Sequence, residues 1–169
     1  MASNKNLSHE RLKALVSYNQ ETGIFTRLVS VPFAPAGSQC LCRNSLGYVV
    51  FRIDGFLYAA HRLAWFYAHG EWPRVIDHIN GDRADNRIQN LRSATQRENM
   101  WNRAKSTRNT SGLKGTCLLK NGQFRAQIVV NGRYYSLGQH DTAEAAHQAY
   151  VQAAAEMRGF VSYDTAEVA

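Results

Sequence analysis

The sequence predicts an α+β fold built from small modules, on three observations. Asp54-Gly55, Asn121-Gly122 and Asn131-Gly132 each separate β-rich runs, the strongest short-range signal for a hairpin. Capped amphipathic or alanine-rich segments stand among those runs and read as helices. Hydrophobic residues make up 44% and charged residues 20% of 169 positions, a globular balance that leaves room for one ordinary domain or two small ones.

Residues 1–58 form a first block. LSHERLKALVSYN places Leu7, Leu12, Leu15 and Val16 on one face of a helix, and QETGIFTRLVS turns at Thr22-Gly23 into a strand. A loop rich in Pro and Gly follows, then GYVVFRIDGFLYAAHR, a hairpin about Asp54-Gly55. Residues 59–105 open with a helix, AHRLAWFYAHG, stopped by Gly70 and Pro73. RVIDHI is a short strand and NGDRADNRIQ a loop; NLRSA is a brief extended piece. Thr95 with Glu98 has the form of a capping box opening the helix TQRENMWNRA. Beyond a polar linker at 106–110, residues 111–163 give three strands, LKGTCLLK, QFRAQIVV and RYYSLGQH, and the helix TAEAAHQAYVQAAAEMRG. That order predicts a three-stranded antiparallel sheet packed on one helix.

The formal charge is +7 and the pI about 9.6, a balance that favours a polyanionic partner. Arginines crowd the middle of the chain, and their planar forks suit phosphate. Cys40, Cys42 and Cys117 give neither a disulfide framework nor a four-cysteine zinc site, and read as reduced thiols in a cytoplasmic protein. No apolar run is long enough for a bilayer, and no membrane partner is expected.

The second block carries a chemical pattern. Hydrolysing a phosphodiester needs a base for water, positive charge on the phosphate oxygens and help for the leaving 3′-oxygen. Asp77 and His78 end a strand and point to opposite faces. The following loop returns Asn90 beside His78, and the capped helix brings Asn99 within reach of Asp77. A neutral histidine is a suitable base, and one carboxylate with one amide suffices for a hard cation that keeps its waters. Strand, loop, strand and helix around one metal make a ββα-metal nuclease core.

Through AHRLAWFYAHGEWP and VIDHINGDRADNRIQNLRSATQREN this block resembles the HNH endonuclease (His-Me finger) family, in the branch common in phages and mobile introns. The resemblance implies that His78 is the general base, and that Asp77 and Asn99 hold one divalent ion, Mg²⁺ or Mn²⁺. Asn90 either fixes the histidine ring or contacts the scissile phosphate. The last letter of the family name is an asparagine here. His61 and Arg62 also match a family pattern, His61 as a support for the site or as a packed residue. The paired C-x-x-C knuckles of many members are absent, so no structural zinc is expected. Asn86, in the run DNR, reads as a turn residue, and His9, His69 and His147 as surface residues.

In the third block, Phe124, Ala126, Ile128 and Val130 alternate onto the helix side of the sheet. Arg125, Gln127, Lys120, Arg133 and Tyr134 fall on the open face, where such side chains can read a major groove. Through SGLKGT, QFRAQIVVNGRYYSLGQHDTAEAAHQAY and AAAEMRGF the block resembles the Apetala-two / ethylene-response-factor DNA-binding domain. Cys117, Leu119 and Ser136 stand where plant members carry arginines and tryptophans, and Phe124 where a tryptophan is usual. The combination implies a phage or homing-type endonuclease, monomer or dimer, that nicks or cuts double-stranded DNA. Arg97 and Arg103 on the preceding helix would anchor phosphates. The rival expectation is a DNA-binding regulator with a non-functional nuclease core.

Overall fold

The structure, a computed structural model, describes residues 7–101, 109 and 111–158. Arg103, most of the expected linker and the 159–163 end of the third block lie outside the described residues. The chain divides into two compact units, Met1–Asn99 and Met100–Ala169, each with mixed helices and small antiparallel sheets.

In the first unit, α1 (His9–Leu15) is capped by Ser8, whose Oγ accepts from the Arg11 amide at 3.1 Å. The helix stops before Val16, one residue earlier than the apolar pattern predicts. Val16 opens β1 (Val16–Tyr18), which pairs with β2 (Phe25–Arg27), so Val16 and Tyr18 are buried by strand alternation instead. β3 (Val50–Ile53) and β4 (Phe56–Ala59) form the hairpin expected about Asp54-Gly55. α2 (Ala60–His69) follows without a break and ends on the left-handed C-cap Gly70. It turns Ala60, Leu63, Ala64 and Phe66 inward.

These elements share one core, which also takes in Ile76 and Leu91 from the strands of the second block. Tyr18 stacks on Phe25 with centroids 4.6 Å apart, and Phe25 meets Phe51 at 5.2 Å. Phe25, Leu12 and Leu63 are fully buried, each worth about 1.5–3 kcal/mol against exposure. Two contacts tie the β1–β2 connection to the loop that follows Asp77-His78. The Tyr18 hydroxyl donates to the Asn86 carbonyl at 2.6 Å, and the Ile88 amide donates to the Gln20 carbonyl at 3.2 Å. Gly23 makes the fit possible: its φ is +73°, and a Cβ there would lie 2.5 Å from the Arg87 nitrogen.

β5 (Ile76–His78) and β6 (Leu91–Ser93) pair antiparallel, with Asp77 opposite Arg92 and His78 opposite Leu91. A short 3₁₀ turn, Ile88–Asn90, leads into β6. α3 (Gln96–Trp101) opens on the expected capping box. The Thr95 amide donates to Glu98 Oε2 at 2.6 Å, and the Glu98 amide donates to Thr95 Oγ1 at 3.2 Å.

In the second unit, β7 (Thr116–Leu118), β8 (Phe124–Val130) and β9 (Arg133–His140) form an antiparallel sheet in that order. α4 (Ala143–Arg158) supplies Tyr150, Ala153 and Ala154 to a buried cluster with Ile128 and Val130. Its buried stripe also contains Ala143, Ala146 and His147, whereas Ala145 is exposed. His147 is therefore not a surface residue: it is 1% exposed, and its Nδ1 lies 2.8 Å from the Lys114 carbonyl. Helical spacing from Ala143 and Ala146 carries the inward stripe through it. No helix among the described residues is long and apolar enough to cross a membrane.

Candidate active site

All three residues of β5 are buried, Asp77 at 4% and His78 at 5% exposure. The strand is short because Asn80-Gly81 turns the chain at once, with the Gly81 amide on the His78 carbonyl at 2.9 Å. The loop then closes on itself through side chains. Asn80 Nδ2 donates to Asp85 Oδ2 at 2.8 Å, and Asp82 Oδ1 accepts from the Ala84 amide at 2.9 Å. Arg87 forks onto Asp85 at 2.8 and 2.5 Å.

Asn90 locks the two ends of this loop together. Its Oδ1 accepts from the Asn80 amide at 3.0 Å, and its Nδ2 donates to the Asp85 carbonyl at 2.9 Å. The backbone adds a bond from the Ile79 amide to the Asn90 carbonyl at 2.8 Å. The amide thus acts on the backbone either side of the loop, and through it on where His78 ends up.

His78 sits in a nest of rings. His61, on the first turn of α2, meets it edge-on with centroids 5.1 Å apart, and Tyr48 lies 6.0 Å away. Tyr48 in turn meets His61 with centroids 5.1 Å apart and carries the Arg83 guanidinium over its own ring, 5.2 Å from the centroid. Burial pushes the His78 ring below its ordinary pKa, and the Asn86 side chain with Asp77, Asp82 and Asp85 pulls it only part of the way back. The imidazole is therefore neutral at pH 7 and able to take a proton. His61 is driven down to about 3, by burial first and then by the charges of His78 and Arg62. Arg62 itself ties α2 to the following chain, donating to the Pro73 carbonyl at 2.8 Å.

On the other side of β5, Asp77 Oδ2 accepts two bonds from its cross-strand neighbour Arg92, at 2.9 and 2.7 Å. The carboxylate is 5% exposed and the arginine 28%. Replacing Arg92 with methionine removes a charge from beside a buried carboxylate, and should lower the unfolding free energy by about 3 kcal/mol. Urea denaturation at pH 7 measures this. Asn99 stands exposed on the first turn of α3, its amide on the Thr95 carbonyl at 3.0 Å, and Arg97 is exposed beside it.

The two residues expected to hold a metal would offer oxygens, Asp77 a buried carboxylate and Asn99 an exposed amide. Among the described residues no three His, Cys, Asp or Glu side chains gather to hold an ion. A hard cation that keeps most of its waters fits this sparse oxygen set, whereas a closed zinc cage needs more ligands.

Sequence reasoning missed three contributors. Asn86 is more than a turn residue: it is 2% exposed, bonds the Ala84 carbonyl through Nδ2, and bears on the His78 ring. Its burial was signalled only by its position between two loop-locking residues. Tyr48 and Arg92 reach the site through tertiary contact and strand register, which no local motif marks.

In the second unit, Arg125, Gln127 and Tyr134 line one groove of about 430 Å³, joined by Tyr135 and Ser136. Lys120 and Arg133 are exposed at the turns that flank β8. A register shift between Arg125 and Gln127 marks an irregularity in the β8–β9 ladder at this groove.

The matched family describes the segment that holds this site: residues 58–101 fit the HNH endonuclease family. Over 87 residues the chain is also 34% identical to Protein 3.8 of Escherichia phage T7, covering 50% of this chain and 72% of that protein. Residues 58–101 form an HNH endonuclease domain. The HNH domain includes His61, Asp77, His78, Asn90 and Asn99, while Tyr18, Gly23 and Tyr48 buttress it from outside the matched span. A second relative is an uncharacterised HNH endonuclease of Acanthamoeba polyphaga mimivirus, 32% identical over 84 residues. That match covers 50% of this chain and 43% of the relative, so the chain spans less than half of its length. No solved structure matches the chain. The HNH match supports a nuclease acting on DNA.

Proposed function

We propose that the chain is a metal-dependent endonuclease that hydrolyses phosphodiester bonds in duplex DNA, with a ββα-metal core formed by β5, β6 and α3. The observation that carries this reading is the pairing on one short strand of a buried, neutral His78 and a buried Asp77 carboxylate. His78 takes a proton from water as the water oxygen attacks phosphorus in line. The P–O3′ bond breaks, the leaving 3′-oxygen takes a proton from solvent, and 5′-phosphate and 3′-hydroxyl ends result. Held by Asp77 and Asn99, a divalent ion such as Mg²⁺ or Mn²⁺ would offset charge on the phosphate and the leaving oxygen. Asn90 fixes the loop, Asn86 and the ring of His61 hold the imidazole, and their burial keeps bulk water from the base.

The second unit, on this reading, is the DNA-binding module that directs the cut. Its support is the exposed groove of Arg125, Gln127 and Tyr134 on a sheet whose other face is buried. Arg125→Ala should weaken binding to the preferred duplex by about 1–3 kcal/mol and relax sequence preference at one position. Selection of bound fragments from random DNA, followed by anisotropy titration, checks both. Lys120, Arg133, Arg97 and Arg103 would contact phosphates and contribute mainly to the salt dependence.

The two hydrogen bonds from Arg92 to Asp77 favour a second reading, a DNA-binding regulator with a silent nuclease core, because the guanidinium already offsets the carboxylate's charge. Supercoiled plasmid separates the two. The endonuclease reading expects nicked or linear product with Mg²⁺ or Mn²⁺ and none with EDTA. Binding without any cleavage, on plasmid and on the native locus alike, establishes the regulator.

A further inference from the structure

The first unit carries an aromatic side chain set out in solvent on a strained backbone. Val31 and Ala34 exchange two backbone hydrogen bonds at 2.9 and 3.0 Å, closing a tight turn on Pro32 and Phe33. Proline fixes the first corner, and Phe33 takes φ of +65°, a position that glycine or asparagine fills at little cost. Phe33 is also 107% exposed, so no packing among the described residues offsets either the strain or the apolar surface. A bulky residue kept at such a corner points to work done on something outside the fold.

Its surroundings say what. Phe33 rims a groove of about 640 Å³ together with Val31, Leu57, Arg27 and Arg52. Asp54, the acidic side chain on that rim, is forked by Arg11 at 3.1 and 2.9 Å, so its charge is already offset. Arg27 and Arg52 therefore leave the rim positive around an apolar tip. That combination matches duplex DNA: cations for two strands of phosphate, and a rigid apolar wedge for a base step in the minor groove.

We propose that this face of the N-terminal block is a second DNA contact, with Phe33 wedged against a base step and Arg27 and Arg52 on flanking phosphates. It rests on the reading that duplex DNA is the substrate, and it adds a site whose lining shares no residue with the HNH site or with the groove of the second unit. The rigid Pro32-Phe33 tip bends the duplex it enters.

The test uses the full chain in EDTA with a random-sequence duplex of about 30 bp, the length scale of a bent protein site, carrying a dye at each end. Wild type binds by anisotropy and brings the ends closer by energy transfer. Phe33→Gly, which relieves the backbone, should keep or raise the melting temperature yet lose affinity about tenfold, the scale of one aromatic–base contact, and lose the bend. Arg27→Gln with Arg52→Gln should lower the salt dependence of binding. A glycine variant that binds and bends like wild type overturns the proposal. So does a fall in melting temperature, which would make Phe33 a packing residue, or loss of a wild-type dimer in sedimentation, which would make the face a contact between copies. If wild type binds no duplex at all, the DNA reading itself falls, an outcome distinct from an unaffected variant.

Discussion

His78→Ala should lower the rate of plasmid nicking by about 10²–10⁴-fold while leaving duplex binding within about twofold of wild type. The size follows from the role: a positioned base removes the proton that water would otherwise hand to solvent. No neighbour can take over. His61 lies 5.1 Å away, but burial, the largest cause of its lowered pKa, acts on it independently of His78 and keeps it a weak base. His61→Ala should accordingly cost far less than His78→Ala, acting only through the packing of the ring. Because His78 is 5% exposed, the variant also opens a small void, so thermal melting must accompany the kinetics. A purely structural role for His78 would show as a fall in melting temperature with activity restored at lower temperature. Retention of full activity in folded His78→Ala would remove it from the base position altogether.

What local sequence encodes, it encodes legibly. The Asp54-Gly55 hairpin, the Thr95–Glu98 capping box and the Gly70 stop each depend on residues within a few positions of one another, and each is present. The same holds for the inward face of β8, where Ala126, Ile128 and Val130 are buried and Arg125 is exposed. Features set by register and tertiary packing are not marked in this way. Arg92 meets Asp77 only because β5 and β6 pair in one register and not another. His147 looks polar in sequence and is buried because the stripe of α4 passes through it. Tyr48 reaches His78 from a loop thirty positions earlier, a separation at which composition carries no contact information. Asn86 combines both cases: its turn bond to Ala84 is local, while its closeness to His78 is a property of the folded loop.

A stability effect as large as that of Arg92→Met should come from a residue with no side chain. Gly23→Ala places a methyl group 2.5 Å from the Arg87 nitrogen and 2.6 Å from the Asn86 carbonyl carbon, both backbone atoms that cannot swing away. Alanine at φ of +73° adds its own strain, roughly 1–2 kcal/mol, to an overpacking cost of about 1–3 kcal/mol. A loss of about 3 kcal/mol is a large share of the 5–15 kcal/mol typical of a domain, and lowers the melting temperature by roughly 10–20 °C. Gly47→Ala is the control, since it has φ of +86° with nothing within 4 Å of the added methyl. It should lose only the backbone part. The difference between the two variants isolates the close approach, and that approach is what presses the β1–β2 connection onto the loop carrying Asn86. If the chain yields by shifting residues 86–87, the Tyr18 bond to the Asn86 carbonyl lengthens and Asn86 moves relative to His78. Nicking should then fall further than the folded fraction accounts for, measured at a temperature where the variant is still folded by circular dichroism. Equal stabilities for Gly23→Ala and Gly47→Ala would show that the first block does not brace the loop.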